Sequence, residues 1–185
     1  KSKKWMYIHS SSTVSDEYRI LEGDHPDGEW KVLTPRKRDL EYDVAHFNNH
    51  FYITTNLDAK NFRIMKVSDS NPAIENWQEV IPHREDVLIE DVDVFADYIV
   101  LTEKANAQSA IRIISWDDQV DYYIDFNEEA YQCYTGVNLD FKTKKLRFGY
   151  QSMTTPGSVF EFDMETKERV LLKQQEVLGG FDKDN

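Results

Sequence analysis

The sequence predicts an all-β chain: a partial β-propeller of four-stranded antiparallel blades, with three blades plus three strands of another. Three observations predict it. Short runs rich in β-branched and aromatic residues recur along the chain, while helical periodicity is nearly absent. The runs fall into series that share one spacing. Two of the repeats also share a sequence signature.

The first series is Trp5-Met-Tyr-Ile-His9, Phe51-Tyr-Ile-Thr-Thr55, Tyr98-Ile-Val-Leu-Thr102 and Leu146-Arg-Phe-Gly-Tyr150. Its members start about 46 to 48 residues apart, a spacing suited to propeller blades. The second series is Glu17–Leu21, Phe62–Lys66, Ser109–Ile113 and Ser158–Phe162; the third is Trp30–Thr34, Trp77–Ile81, Asp121–Asp125 and Arg169–Lys173. One more strand precedes the later units: Tyr42–His46, Leu88–Val92 and Tyr131–Gly136. Four strands per unit is the blade of a propeller. The signature Trp30-Lys-Val-Leu-Thr-Pro35 aligns with Trp77-Gln-Glu-Val-Ile-Pro82, placing Asp39 where Asp86 falls. A Pro after each run suits an outer edge strand, where a lost donor costs little. A β-sandwich with chance spacing is the plainer alternative, and three series on one period speak against it. The expected units are 1–39 (three strands), 40–86, 87–129 and 130–176, with 177–185 as a connection onward. The start in mid-blade and the absent initiator Met lead us to expect that the native start lies upstream.

Composition agrees with a globular domain. The 185 residues are 40% hydrophobic and 13% aromatic, too rich for a disordered chain. No apolar run approaches the roughly 18 residues of a membrane-spanning helix, and no membrane partner is expected. A net charge of −12 argues against nucleic acid, whose phosphates would be repelled. It suits cationic partners or simply solubility. One cysteine, Cys133, excludes an internal disulfide and a cysteine-based zinc site.

Catalytic motifs are sparse. The sequence has no Gly-x-Ser-x-Gly elbow and no phosphate-binding glycine loop. His46-Phe-Asn-Asn-His50 has metal-ligand spacing only on a helix, and the pattern there is strand-turn-strand, so neither metal nor cofactor is expected. Glu85, Asp86, Glu90, Asp91 and Asp93 could be paired glycosidase carboxylates, yet in a chain with 34 acidic residues such clusters mostly mean a solvated face.

Alternating strand direction puts the loops that enter and leave each blade, together with each blade's middle loop, on one face. Pro35–Leu40, Pro82–Val87, Phe126–Ala130, Ser10–Ser15, Asn56–Asn61, Glu103–Gln108 and Gln151–Gly157 fall there. Arg36, Arg38, Lys60, Asn61, His83, Arg84, Glu85, Asp86, Thr154 and Thr155 are the candidate contacts of this face with a second domain. For the Arg36–Asp39 and His83–Asp86 runs two readings stand open: local ion pairs capping a turn, or charges that meet a partner. The chain exits on the same face through Gly179 and Gly180, whose permissive backbone suits a swivel.

Asp58-Ala-Lys-Asn-Phe62, Trp77–Asp86, Tyr150-Gln-Ser-Met-Thr-Thr-Pro156 and Leu172–Asp182 closely resemble the oligopeptidase B (protease II) branch of the prolyl oligopeptidase family of serine peptidases. The resemblance covers essentially the whole chain and maps onto the later part of the family's seven-bladed propeller. It implies that Gly179, Gly180, Phe181 and Asp182 form a hinge returning to a hydrolase domain. It implies a cytoplasmic two-domain enzyme cleaving short peptides after Lys or Arg, whose propeller covers the active site and excludes large folded substrates. The Ser-His-Asp triad and the oxyanion hole belong to the hydrolase domain, so no catalytic role is carried onto this chain. The expected partners are that domain and short cationic peptides. An incomplete ring would expose blade flanks and favour self-association. An independent binding module is the competing reading.

Overall fold

The computed structural model describes residues 2–180. Four antiparallel sheets follow one another along the chain, each with its strands in sequence order. Contacts divide the chain into two compact units, Lys1–Leu88 and Ile89–Asn185.

The first unit holds β1 (Trp5–Ser12), β2 (Ser15–Glu22) and β3 (Lys31–Val32), then β4 (Tyr42–Phe47), β5 (His50–Thr55), β6 (Arg63–Ser68) and β7 (Gln78–Ile81). Its core gathers Tyr18, Ile20, Leu40, Tyr42, Phe51, Ile53, Met65, Val67 and Trp77. Burying each large side chain contributes about 1.5–3 kcal/mol. Tyr42 ties the two sheets together: its hydroxyl donates to the Thr34 carbonyl (3.2 Å) and accepts from the Tyr18 amide (2.9 Å). The Tyr18 hydroxyl in turn donates to Asp43.

A second tie centres on Asp69. Its Oδ2 receives Lys4 Nζ at 2.5 Å, His46 Nε2 at 3.0 Å and Trp5 Nε1 at 3.4 Å. The His46 side chain is 4% exposed and Asp69 7%. Burial outweighs the carboxylate's pull, so the His46 pKa lies below its ordinary value and the ring is neutral near pH 7. Neutrality fixes the tautomer: Nε2–H donates to Asp69, and Nδ1 accepts from Ser2 Oγ at 2.8 Å. Ser2, His46 and Asp69 thus form a hydrogen-bonded chain of the residue types used in hydrolases. The imidazole is buried with both ring nitrogens engaged, and the three residues tie the start of the chain to the β4–β6 sheet. His46 and His50 lie on paired strands around the turn Asn48-Asn49, whose positive φ angles (46° and 59°) are those of a type I′ hairpin.

The second unit holds β8 (Val87–Val94, entering from the unit boundary), β9 (Tyr98–Ala105), β10 (Gln108–Ser115) and β11 (Asp121–Tyr123), then β12 (Tyr131–Thr135), β13 (Lys145–Ser152), β14 (Ser158–Asp163) and β15 (Arg169–Gln174). Alternation is clear on β10, where Ser109, Ile111, Ile113 and Ser115 are buried and their neighbours half-buried. The core joins Val100, Ile111, Ile113, Phe126, Leu146, Phe148, Phe162 and Met164. Tyr134 lies opposite Gly149, where a Cβ would come within 2.3 Å of its ring. Glycine there lets the ring lie flat across the strand.

The third strand series is shorter than the sequence suggests. β3 has two residues and is exposed, as befits an outer edge that pairs on one side only. Trp77 precedes β7 at the end of a short 3-10 turn, is 8% exposed, and donates Nε1 to the Pro72 carbonyl. Its counterpart Trp30 is 37% exposed. The shared signature therefore serves two environments.

Candidate functional site: the clasped loop face

Within each unit, side chains lock a blade's middle loop to the loop entering or leaving that blade. In the first unit the Arg36 guanidinium crosses to the β1–β2 hairpin. It donates to the carbonyls of Ser10 (2.5 Å) and Ser15 (2.8 Å) and to the hydroxyls of Ser10, Ser12 and Ser15. Asn56 donates to the Asp39 carbonyl and to Glu41, and its Oδ1 accepts the Glu41 amide. Asn61 donates to the carbonyls of Arg84 (3.1 Å) and Glu85 (2.7 Å). Amides and guanidinium groups suit this work because the Asp39, Arg84 and Glu85 carbonyls lie outside the strands. A strand carbonyl such as that of Ser10 or Ser15 has a second lone pair with which to accept.

In the second unit Gln108 donates to the Tyr131 carbonyl at 2.6 Å. Thr154 and Thr155 converge on Glu128, in the loop between β11 and β12. Thr154 Oγ1 meets Oε2 at 2.8 Å, while Thr155 Oγ1 (3.0 Å) and the Tyr150 hydroxyl (2.7 Å) meet Oε1. Neighbouring hydroxyls, Ser152 foremost and then Tyr150, Thr154 and Thr155, hold the Glu128 carboxyl down at about 2 against partial burial. Beside it lies a cleft of about 370 Å³ lined by Phe126, Tyr150, Phe160 and Arg169.

The profile of the prolyl oligopeptidase N-terminal β-propeller domain matches residues 1–175. This chain belongs to the prolyl oligopeptidase family. It is 37% identical over 97% of its length to dipeptidyl aminopeptidase BI of Pseudoxanthomonas mexicana, and 22% identical over 99% to protease 2 of Moraxella lacunata. Among solved structures it superposes on oligopeptidase B from Trypanosoma brucei, bound covalently to antipain in a closed form, with a TM-score of 0.87, 27% identity and full coverage. Oligopeptidase B from Leishmania major gives the same TM-score at 24% identity and shares the fold. The chain spans about a quarter of the length of these relatives: 25% and 26% of the two bacterial proteins and 28% of each structure. The partial propeller is thus a piece of a prolyl oligopeptidase fold.

The expected contact residues of this family member divide by role. Arg36, Asn61, Thr154 and Thr155 are engaged in the clasps. Arg38 pairs with adjacent Asp39 at 3.7 Å in full solvent, with side chains 88% and 72% exposed. Lys60, Glu85 and Asp86 are exposed. His83 is half-buried, and its Nε2 has no hydrogen-bond partner among the described residues. Arg84 forms a bridge with Val87. Arg36 thus caps a hairpin and Arg38 makes a local ion pair, while Lys60, Glu85 and Asp86 face solvent. Gly179 and Gly180 take φ of 92° and 78° in open space, angles that glycine adopts without strain. Phe181 and Asp182 lie outside the described residues. Glu128 was missed by sequence reasoning, because nothing in an acid-rich chain singles out one carboxylate whose donors come from a loop 26 residues away.

The clasp at Arg36 is testable. Arg36→Ala leaves two hairpin carbonyls without these donors and should cost about 1–2 kcal/mol. The cost reads as a lower urea midpoint at unchanged slope, with faster amide exchange confined to Ser10–Ser15. Unchanged exchange there would mean that the guanidinium contacts do not order the loop.

Proposed function

We propose that this chain is the gating portion of a serine peptidase and carries no catalytic group of its own. In the whole protein its loop face would lie over a hydrolase domain joined through Gly179 and Gly180. Peptides short enough to pass would be cleaved after Lys or Arg, in the cytoplasm. The match of residues 1–175 to the family's propeller domain carries this reading. Loops braced by Arg36, Asn56, Asn61 and Glu128 support it, because a surface that closes repeatedly on a partner benefits from being pre-organised. Exposed Tyr134, Val170 and Leu172 on the last sheet, with Val137 and Leu139 in its β12–β13 loop, support a neighbouring surface there: a further blade in the longer protein, or a second copy for this chain alone.

A second reading concerns cleavage preference. The 37% identity to a protein named a dipeptidyl aminopeptidase favours removal of dipeptides from free amino termini. The test uses the protein translated from the complete reading frame beside this 185-residue chain. The longer protein should hydrolyse amino-blocked arginyl or lysyl reporters, and the short chain neither these nor dipeptidyl reporters. Turnover only with a free amino terminus would select the second reading. Active-site-titratable turnover by the short chain would refute the non-catalytic role, and a reading frame without a hydrolase sequence would favour an independent binding module.

A further inference from the structure

The cleft between the β11–β12 loop, the β13–β14 loop and the outer strands of the last sheet is built unlike the other clasps. Its wall carries a full negative charge. Glu128 accepts hydroxyl hydrogen bonds from Tyr150 and Thr155 at Oε1 and from Thr154 at Oε2, with the Ser152 hydroxyl beside them. The donors are all neutral, and Glu128 has no ion-pair partner among the described residues. Neutral hydroxyls fix the carboxylate's orientation without cancelling its charge.

The floor is aromatic. Phe126 and Tyr150 stack with centroids 4.8 Å apart and planes 18° from parallel, and Phe160 stands edge-on to Tyr150 at 6.2 Å. These rings already accommodate a cation. The Arg169 guanidinium lies 5.4 Å from the Phe126 centroid and 5.5 Å from that of Phe160. Ring faces attract guanidinium and ammonium groups through their quadrupole. The cleft therefore pairs an orientable-cation platform, occupied by an exposed edge-strand arginine, with a fixed carboxylate that this arginine does not neutralise.

We propose that this cleft receives the cationic group of a short peptide, an arginine or lysine side chain or a free α-ammonium, with Glu128 as its counter-charge and Phe126 and Phe160 as its platform. The assignment rests on the peptidase reading and names a substrate-recognition site for it. Arg169 is the resident cation that the peptide group displaces, so removing its charge strengthens binding. A purely structural Glu128 would give no such response.

The probe is L-argininamide, which carries a guanidinium and an ammonium but no carboxylate, titrated into this chain while backbone amide shifts are followed. Saturable shifts should appear at Asn127–Glu129 and Thr154–Thr155, and neutral N-acetyl-norleucinamide should produce none. Glu128→Gln should weaken binding about tenfold. Arg169→Gln should tighten it about threefold. Absence of saturable shifts, equal binding by Glu128→Gln, or no tightening in Arg169→Gln overturns the proposal. The Arg169 variant keeps the test decisive if Glu128→Gln fails to fold.

In the longer protein, Glu128→Gln should raise KM at unchanged kcat for amino-blocked peptides bearing a second basic residue, and leave KM unchanged for amino-blocked peptides with one. If that protein cleaves no peptide, the peptidase reading falls while the titration still decides the cleft. If it cleaves peptides and the variant's KM values do not move, the cleft is no peptide site and the peptidase reading stands. A Glu128 partner on the hydrolase domain would give that second pattern.

Discussion

Asp69→Ala should destabilise the Lys1–Leu88 unit by about 2–3 kcal/mol. Removing the carboxylate leaves the buried His46 Nε2–H without its acceptor and removes the one held by Trp5 Nε1, and each unsatisfied buried donor costs about 1–3 kcal/mol. Loss of one partner from a fully buried charge pair costs about 3–5 kcal/mol. The Lys4 side chain is 43% exposed and can return to water, which keeps the total below that range. The measurement is the urea midpoint at pH 7 with an unchanged slope. A loss under about 1 kcal/mol would class the cluster with ordinary surface pairs.

The same cluster sets the direction of pH dependence. Burial lowers the His46 pKa in the fold, so the unfolded chain takes up this proton first as pH falls below its reference of about 6.5. For Asp69, burial raises the pKa, but the bonds from Lys4, His46 and Trp5 outweigh it and the net shift is downward. Its contribution is complete above the unfolded value of about 3.9 and is lost as pH falls through the folded one. Both groups bind protons more readily when unfolded, so stability declines on acidification in two stages. His46→Phe should remove the stage that begins near 6.5 and leave the lower one.

The blades were legible in the sequence because period and composition are local. Phe51–Thr55, Tyr98–Thr102 and Leu146–Tyr150 are dense in residues that fit a pleated, buried surface, and each became the second strand of its sheet. Outer strands read less well. β3 and β15 are exposed along their length, so little selects apolar alternation there, and Trp30–Thr34 shrank to Lys31–Val32. Loop positions were legible too, since strand count fixes which connections share a face, and Asn61 and Thr154 did fall beside other loops. Their partners were not. The Arg36 clasp on Ser10 and Ser15 and the hydroxyl cradle of Glu128 join residues with no periodic signal between them. They become visible only once the registers of β1–β2 and β13–β14 are set.

Phe148→Ala should unfold more readily than any single change in the clasps, with a loss of about 3–5 kcal/mol. Phe148 is fully buried in β13, stacks on Phe160 at 5.5 Å and meets Phe126 edge-on at 5.6 Å. Deleting the ring removes apolar contact and leaves a cavity between two strands and a loop that cannot all close on it. The two rings it supports are those beneath Arg169. Losing their backing should therefore abolish argininamide binding at temperatures where the variant is still folded. Phe148→Leu separates the two effects. It refills most of the volume and should recover more than half of the lost stability, yet it offers no ring face to Phe126 or Phe160. If it restores stability and full argininamide affinity together, the cleft needs only a filled core beneath it. Restored stability with weakened binding means that the aromatic stack itself holds the cation platform in shape.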